Sequence, residues 1–235
     1  MSEKRIGFLD TWRAAALLAM IVWHFLFDLA SAGLVPDSLM QSGVMELARY
    51  AIAGSFIVIS GVCARLSKRP LRRGLIVFGA ALLVSAATYL FGTPVYWGIL
   101  HLLGACMLLY AAVRKRWDAL PGTYACGAAV LVFALTFALP IRVRVSVPFL
   151  FPLGLRTAAF ASADYYPLLP WGALFFATAA AAERLDDMPP EKKYRCAPRA
   201  LAWLSRRSLA VYLVHQPVLF GMVYLMKMLC PSVQY

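Results

Sequence analysis

The sequence predicts an all-α integral membrane bundle of about seven transmembrane helices with a cytosolic amino terminus. Three observations predict it. The 235 residues are 62% hydrophobic and only 14% charged, with a mean hydropathy of +0.72, whereas soluble domains are about 45–50% apolar and about 25% charged. The apolar residues gather in runs of about 17–25, the length over which a helix satisfies its own backbone across a bilayer. The basic residues sit in clusters between those runs. A net charge of +12 distributed in this way reads as membrane topology, and it excludes a water-soluble enzyme and a nucleic-acid surface.

The expected spans run from Phe8 to Ala30, Gly43 to Ala64, Gly74 to Phe91, Tyr96 to Val113, Gly122 to Leu139, Tyr165 to Ala182 and Ser208 to Leu229, within a single domain over residues 1–235. The first follows Lys4-Arg5 and ends on Ala30-Ser31-Ala32, the form of a leader cleavage site. Arg13, His24 and Asp28 inside it are foreign to a leader's apolar centre, so the helix is expected to remain. Seventeen of the 23 Lys and Arg residues flank the ends that share the amino-terminal side, from Lys4 to Arg207. Four (Arg142, Arg144, Arg156 and Lys227) flank the other side, and Arg13 and Arg49 lie inside spans. This asymmetry puts the amino terminus in the cytosol of a multi-pass protein of the plasma (inner) membrane. The longest outer connection, Pro140 to Asp164, contains the strand-like alternation Arg142-Val143-Arg144-Val145. Five cysteines show neither a disulfide framework nor zinc-ligand spacing, and no metal is expected.

Ionisable residues inside membrane helices are costly, so each is a site hypothesis. Asp10, Arg13, His24 and Asp28 are spaced by 3, 11 and 4. At about 100° per residue they share one stripe, with Arg13 and His24 roughly 16 Å apart along the axis. Asp10 with Arg13, and His24 with Asp28, also have the spacing of simple paired groups. Glu46 and Arg49 are expected in the outer half of the second span, as an ion-pair network or as ligands. His101 is expected just inside the outer face and His215 about two turns from the cytosolic face. Pro217 frees the carbonyl of Leu213. The dense turn Arg65, Lys68, Arg69, Arg72, Arg73 fits both attraction to anionic lipid and a phosphate clamp, with Arg69 and Arg72 as the clamp's members.

Arg13 and His24 reproduce the Arg-x10-His spacing of membrane acyltransferases. The longer run Arg5-Ile-Gly-Phe-Leu-Asp-Thr-Trp-Arg13, continuing through Met20-Ile-Val-Trp-His24-Phe-Leu-Phe-Asp28, resembles the bacterial branch of the heparan-alpha-glucosaminide N-acetyltransferase catalytic domain. Four further segments match in order: Phe56 to Gly61, Gly98 to Gly104 with His101, Asp164 to Trp171, and Ser208 to Pro217 with Tyr212, His215 and Gln216. Ala14 stands where that family commonly has Gly, and its methyl narrows the approach of a neighbouring helix or ligand.

The resemblance implies acetyl transfer from cytosolic acetyl-CoA, as donor substrate, to an amino sugar or other glycan acceptor at the outer side. It implies His24 as general base with Asp28 setting its tautomer, and Arg13, His215, Arg69 and Arg72 on the acyl-CoA. Glu46, Arg49, His101 and Asp164 would meet the acceptor. The partners are then membrane lipids and the acceptor, with room for a homo-oligomer and no nucleic acid. The same buried polar stripe also suits a multispan transporter or a non-catalytic membrane protein, and His24 and His101 at similar depths suit haem ligation.

Overall fold

The computed structural model describes residues 6–185, 187–189, 194 and 196–229. Lys4, Arg5, Lys192, Lys193 and Arg195, all counted on the cytosolic side, lie outside the described residues. The chain is all-helical. Its helices are α1 Gly7–Ser31, α2 Asp37–Met40, α3 Gly43–Leu66, α4 Pro70–Leu90, α5 Ile99–Trp117, α6 Gly122–Thr136, α7 Leu139–Arg142, α8 Leu168–Ala181, α9 Arg199–Arg206 and α10 Ser208–Leu229, with 3-10 turns at Pro148–Leu153 and Ala182–Leu185. Among the described residues there is no strand. The alternation at Arg142 to Val145 becomes the end of α7 and one isolated bridge, Arg144 to Arg156, because a lone pairing without neighbours does not make a sheet.

Five of these helices are long and apolar enough to cross a membrane: α1, α3, α4, α6 continued through α7, and α10. The expected spans at Tyr96–Val113 and Tyr165–Ala182 differ from the rest. The first becomes α5, which begins at Ile99 and carries Arg114, Lys115 and Arg116 in its last turn. The second becomes α8, with only 14 residues, about 21 Å at 1.5 Å per residue and short of a hydrocarbon layer of about 30 Å. Both supply buried core: Leu102, Cys106 and Tyr110 on α5 and Phe175 and Ala179 on α8 are fully buried, each set repeating at the four-residue helical interval. By contrast Leu82, Leu83 and Leu90 on α4, Tyr124 and Leu135 on α6, and Tyr224 and Leu225 on α10 are exposed apolar side chains.

Contacts divide the chain into two units, residues 1–56 with 189–235, and residues 57–188. The division falls within α3. In the first unit α1 packs on α2, α9 and α10; in the second, α4 packs on α5 and α8 on α5 and α6. The helix ends are set locally. α4 opens with Pro70 at its first position, where a missing N–H costs nothing. α1 and α4 stop at Gly33 (φ 73) and Gly92 (φ 74), whose left-handed backbone lets Leu34 N reach Leu29 O at 2.9 Å and Thr93 N reach Thr88 O at 3.0 Å.

In the second unit the basic residues around the α3–α4 turn are not all free charges. Asp118 accepts from Arg65 Nη1 at 3.1 Å, Tyr110 Oη at 2.7 Å and Arg114 Nε at 3.4 Å. Arg114 also donates to the carbonyls of Ser67 at 2.9 Å and Arg65 at 3.1 Å, tying the end of α3 to the end of α5. Asp118→Asn removes the anion at the centre of this partly exposed network. It is expected to lower stability by about 1–2 kcal/mol, read as an earlier melting transition in detergent; unchanged melting would show the network contributes nothing.

Candidate functional site

The stripe on α1 faces α9 and α10. Ser205 on α9 is buried; its Oγ donates to Asp10 Oδ1 at 2.8 Å and accepts from Arg13 Nη1 at 3.4 Å. One register further, the rings of His24 and His215 lie 5.0 Å apart at 56°. Next, Gln216 Nε2 donates to both oxygens of the buried Asp28, at 2.9 and 3.0 Å. From Arg13 to His24 is about 16 Å, and from Ser205 to His215 about 15 Å, so α1 and the α9–α10 segment climb together.

This register explains one contact and corrects one expectation. His215 stands two turns into α10 counted from Ser208, and because the amphipathic α9 starts α10 more than a turn beyond the beginning of α1, its ring meets that of His24. Asp28 is expected to orient His24, but its carboxylate is held by Gln216, and among the described residues no hydrogen bond joins it to His24. The His24 ring is half-buried and packs edge-on to Trp23 at 5.2 Å. Ala14, three residues before Leu17 on α1, is fully buried, as is Leu17.

Around this cluster, Trp23 Nε1 donates to Met45 O at 3.2 Å, linking α1 to the start of α3. Glu46 in that first turn is exposed. The Arg49 guanidinium lies 4.5 Å from the centre of the Tyr50 ring. A groove of about 640 Å³ runs between α1 and α10, walled by Ile21, Phe25, Val211 and Val218, with Arg207 and His215 its polar members. Arg207 also lies 4.4 Å over the Trp203 ring, an arrangement common near a membrane–water boundary.

His101 and Asp164 come together in the second unit, at the N-terminus of α5. Gly98 N donates to His101 Nδ1 at 3.3 Å, so Nε2 carries the hydrogen and donates to Ser85 Oγ at 3.1 Å. Ser85 passes its own hydrogen to Val95 O at 2.5 Å. Both ring nitrogens of this buried histidine are thereby used, and Trp97 stacks on it at 5.6 Å. Asp164 Oδ2 accepts from Ile99 N at 2.9 Å, a carboxylate on the positive end of a helix. Gly98 is needed there, since a Cβ would collide with that carboxylate. At the α3–α4 turn Lys68, Arg69, Arg72 and Arg73 are exposed, while Arg65 is bound to Asp118.

The structure therefore groups the sequence-predicted residues in two sets. Arg13, His24, Asp28, Glu46, Arg49 and His215 belong to the first unit, and Arg69, Arg72, His101 and Asp164 to the second. Ser205, Ser85 and Asp118 were not singled out from the sequence. Two of them are serines with no local motif, and Asp118 follows a basic run that reads as topology. Among the described residues no group of three or more His, Cys, Asp or Glu could hold a metal ion.

No curated protein matches the chain, and no solved structure does. The model of the heparan-alpha-glucosaminide N-acetyltransferase catalytic family matches residues 5–217, a range that holds the α1 stripe, the Gly98–His101 turn, Asp164 and the His215-Gln216 pair. With nearly its whole length matched and the family's first and last motifs meeting at His24 and His215, the chain belongs to the heparan-alpha-glucosaminide N-acetyltransferase catalytic-domain family.

Proposed function

We propose that this chain moves an acetyl group from cytosolic acetyl-CoA to an amino sugar or other glycan acceptor at the outer side of the plasma membrane, with its amino terminus in the cytosol. The observation that supports the reading best is the contact of His24 with His215 at 5.0 Å, in a membrane acyltransferase family. A thioester is already electrophilic, so the reaction needs a base for the incoming amine or hydroxyl and a means of steadying the developing oxyanion. His24 is the base. Asp28 lies one turn away on α1, its carboxylate held by Gln216.

Acetyl-CoA brings phosphates and an activated acyl group. The exposed cations Arg69 and Arg72 suit phosphate, being free of the ion pair that occupies Arg65. Arg13, nearer the amino-terminal end of α1 than His24, suits the donor's polar arm. Glu46, exposed at the start of α3, and Arg49 beside it are the acceptor-side groups. His101 and Asp164 act on the acceptor indirectly, by fixing the turn that opens α5.

The test is acetyl transfer by the purified full-length protein in liposomes, with labelled acetyl-CoA on one side and a panel of amino sugars and sugar alcohols on the other. The expected result is label on at least one acceptor, dependent on the protein. No label on any acceptor, with intact donor recovered, would refute the reading.

A further inference from the structure

Two buried acceptor atoms in the first unit have no hydrogen-bond partner among the described residues, His215 Nε2 and Gln216 Oε1. The first is the more informative because its protonation is dictated by a neighbour. His215 Nδ1 lies 2.6 Å from Tyr212 O; a carbonyl only accepts, so Nδ1 carries the hydrogen and donates it. The Nε2 of the neutral ring is then an unshared lone pair. The residue is 9% exposed, and its ring is fixed edge-on to Tyr212 at 5.4 Å. A histidine needed only to pin the helix would be explained by the Nδ1 bond alone. The lone pair on Nε2, in a side chain whose neighbouring ring is His24, would not.

We propose that His215 is the proton store of the transfer reaction, receiving through His24 the proton that the attacking amine or hydroxyl gives up. This rests on the acyltransferase reading above and deepens it. As the acceptor's nitrogen or oxygen bonds to the thioester carbon, its proton passes to the His24 nitrogen that faces it. His24 hands the hydrogen on its other nitrogen to His215 Nε2, and the Tyr212 carbonyl steadies the charged ring through Nδ1. When the C–S bond breaks, the thiolate leaves with the electron pair. The stored proton returns through His24 to the sulfur, so the products are acylated acceptor and free thiol, and both imidazoles end neutral. No oxidant, reductant or further reactant enters.

The two rings stand short of a hydrogen bond at a centroid separation of 5.0 Å; such contacts are often long until substrate binds. Among the described residues, Asp28 lies one turn beyond His24 on α1, bound to Gln216, and Arg207 lines the same groove as His215 about two turns before it.

The deciding variant is His215→Asn, whose amide N–H takes the place of Nδ1–H toward Tyr212 O but which offers no base. It is compared with wild type in liposomes, using labelled acetyl-CoA and the amino-sugar acceptor that wild type labels. A kcat about 100-fold lower or more is expected, with both KM values within about threefold. Free imidazole should recover part of the rate in His215→Ala. A kcat for His215→Asn within about threefold of wild type, or a loss confined to KM, would overturn the proposal. So would a loss of activity that only accompanies a lost melting transition and that imidazole does not relieve, since that marks a structural histidine. A wild-type protein that labels nothing refutes acyl transfer itself, and that failure is seen before any variant is made.

Discussion

His24→Ala is expected to abolish labelling of the acceptor, with kcat lower by about 10²–10⁴, the contribution of a positioned general base. The expectation comes from the surroundings of the ring. Like Arg13 it is only half-buried, but unlike Arg13 it makes no hydrogen bond with a described residue, so its nitrogens are available to a substrate. Its ring contacts are aromatic, with Trp23 at 5.2 Å and His215 at 5.0 Å. Truncation to alanine loses those contacts but leaves no buried charge behind, so the melting transition should move little compared with the loss of rate. Donor binding, measured as protection of the folded protein by acetyl-CoA, should persist, because Arg13 and the exposed cations are untouched. Labelling by the variant equal to that of wild type would remove His24 from the mechanism and leave His215 without a route for its proton.

How far the sequence carried these conclusions depends on whether each inference stayed inside one helix. The stripe of Asp10, Arg13, His24 and Asp28 was legible because its geometry is the 100° step of a single α-helix, and all four residues do face α9 or α10. The span count was less secure. Apolar run length marks where a helix is comfortable in lipid or in a protein core, and α5 and α8 serve as buried core of the second unit. Helix ends were displaced for a related reason: α5 continues through Arg114 to Trp117 because Arg114 and Asp118 bond to each other and to the α3–α4 turn.

The register of His215 was illegible. It depends on α9, eight residues in which Leu201 and Leu204 are half-buried while Arg199, Trp203 and Arg206 are exposed. That is too short for any hydropathy window and lies in a stretch that reads as a charged connection. For His101, the sequence could place a buried imidazole but could not show that Ser85, sixteen residues away on another helix, uses its second nitrogen. The missed residues are thus those whose role is a hydrogen bond to a distant element, whereas the residues found were those whose type alone is anomalous in an apolar helix.

Gly104→Val is expected to destabilise the second unit by more than about 3 kcal/mol, beyond the usual 1–3 kcal/mol of core overpacking. The reason lies in what a side chain would strike. A Cβ at Gly104 would sit 2.7 Å from Phe78 N and 2.8 Å from Phe78 Cα, which are backbone atoms of α4 and cannot rotate away. Relief would require α4 and α5 to separate along their shared length, opening the interface that holds Ser85 against His101. Small residues at such crossings are how membrane helices approach closely when no water is present to drive them together. Gly127, a glycine of α6 with nothing within 4 Å of its added Cβ, is the internal control: Gly127→Ala should be neutral or slightly stabilising, by up to about 1 kcal/mol from helix propensity. Thermal unfolding of both variants in the same detergent decides the matter. Equal melting temperatures would mean that the α4–α5 crossing tolerates a side chain, and that the turn presenting His101 and Asp164 does not depend on it.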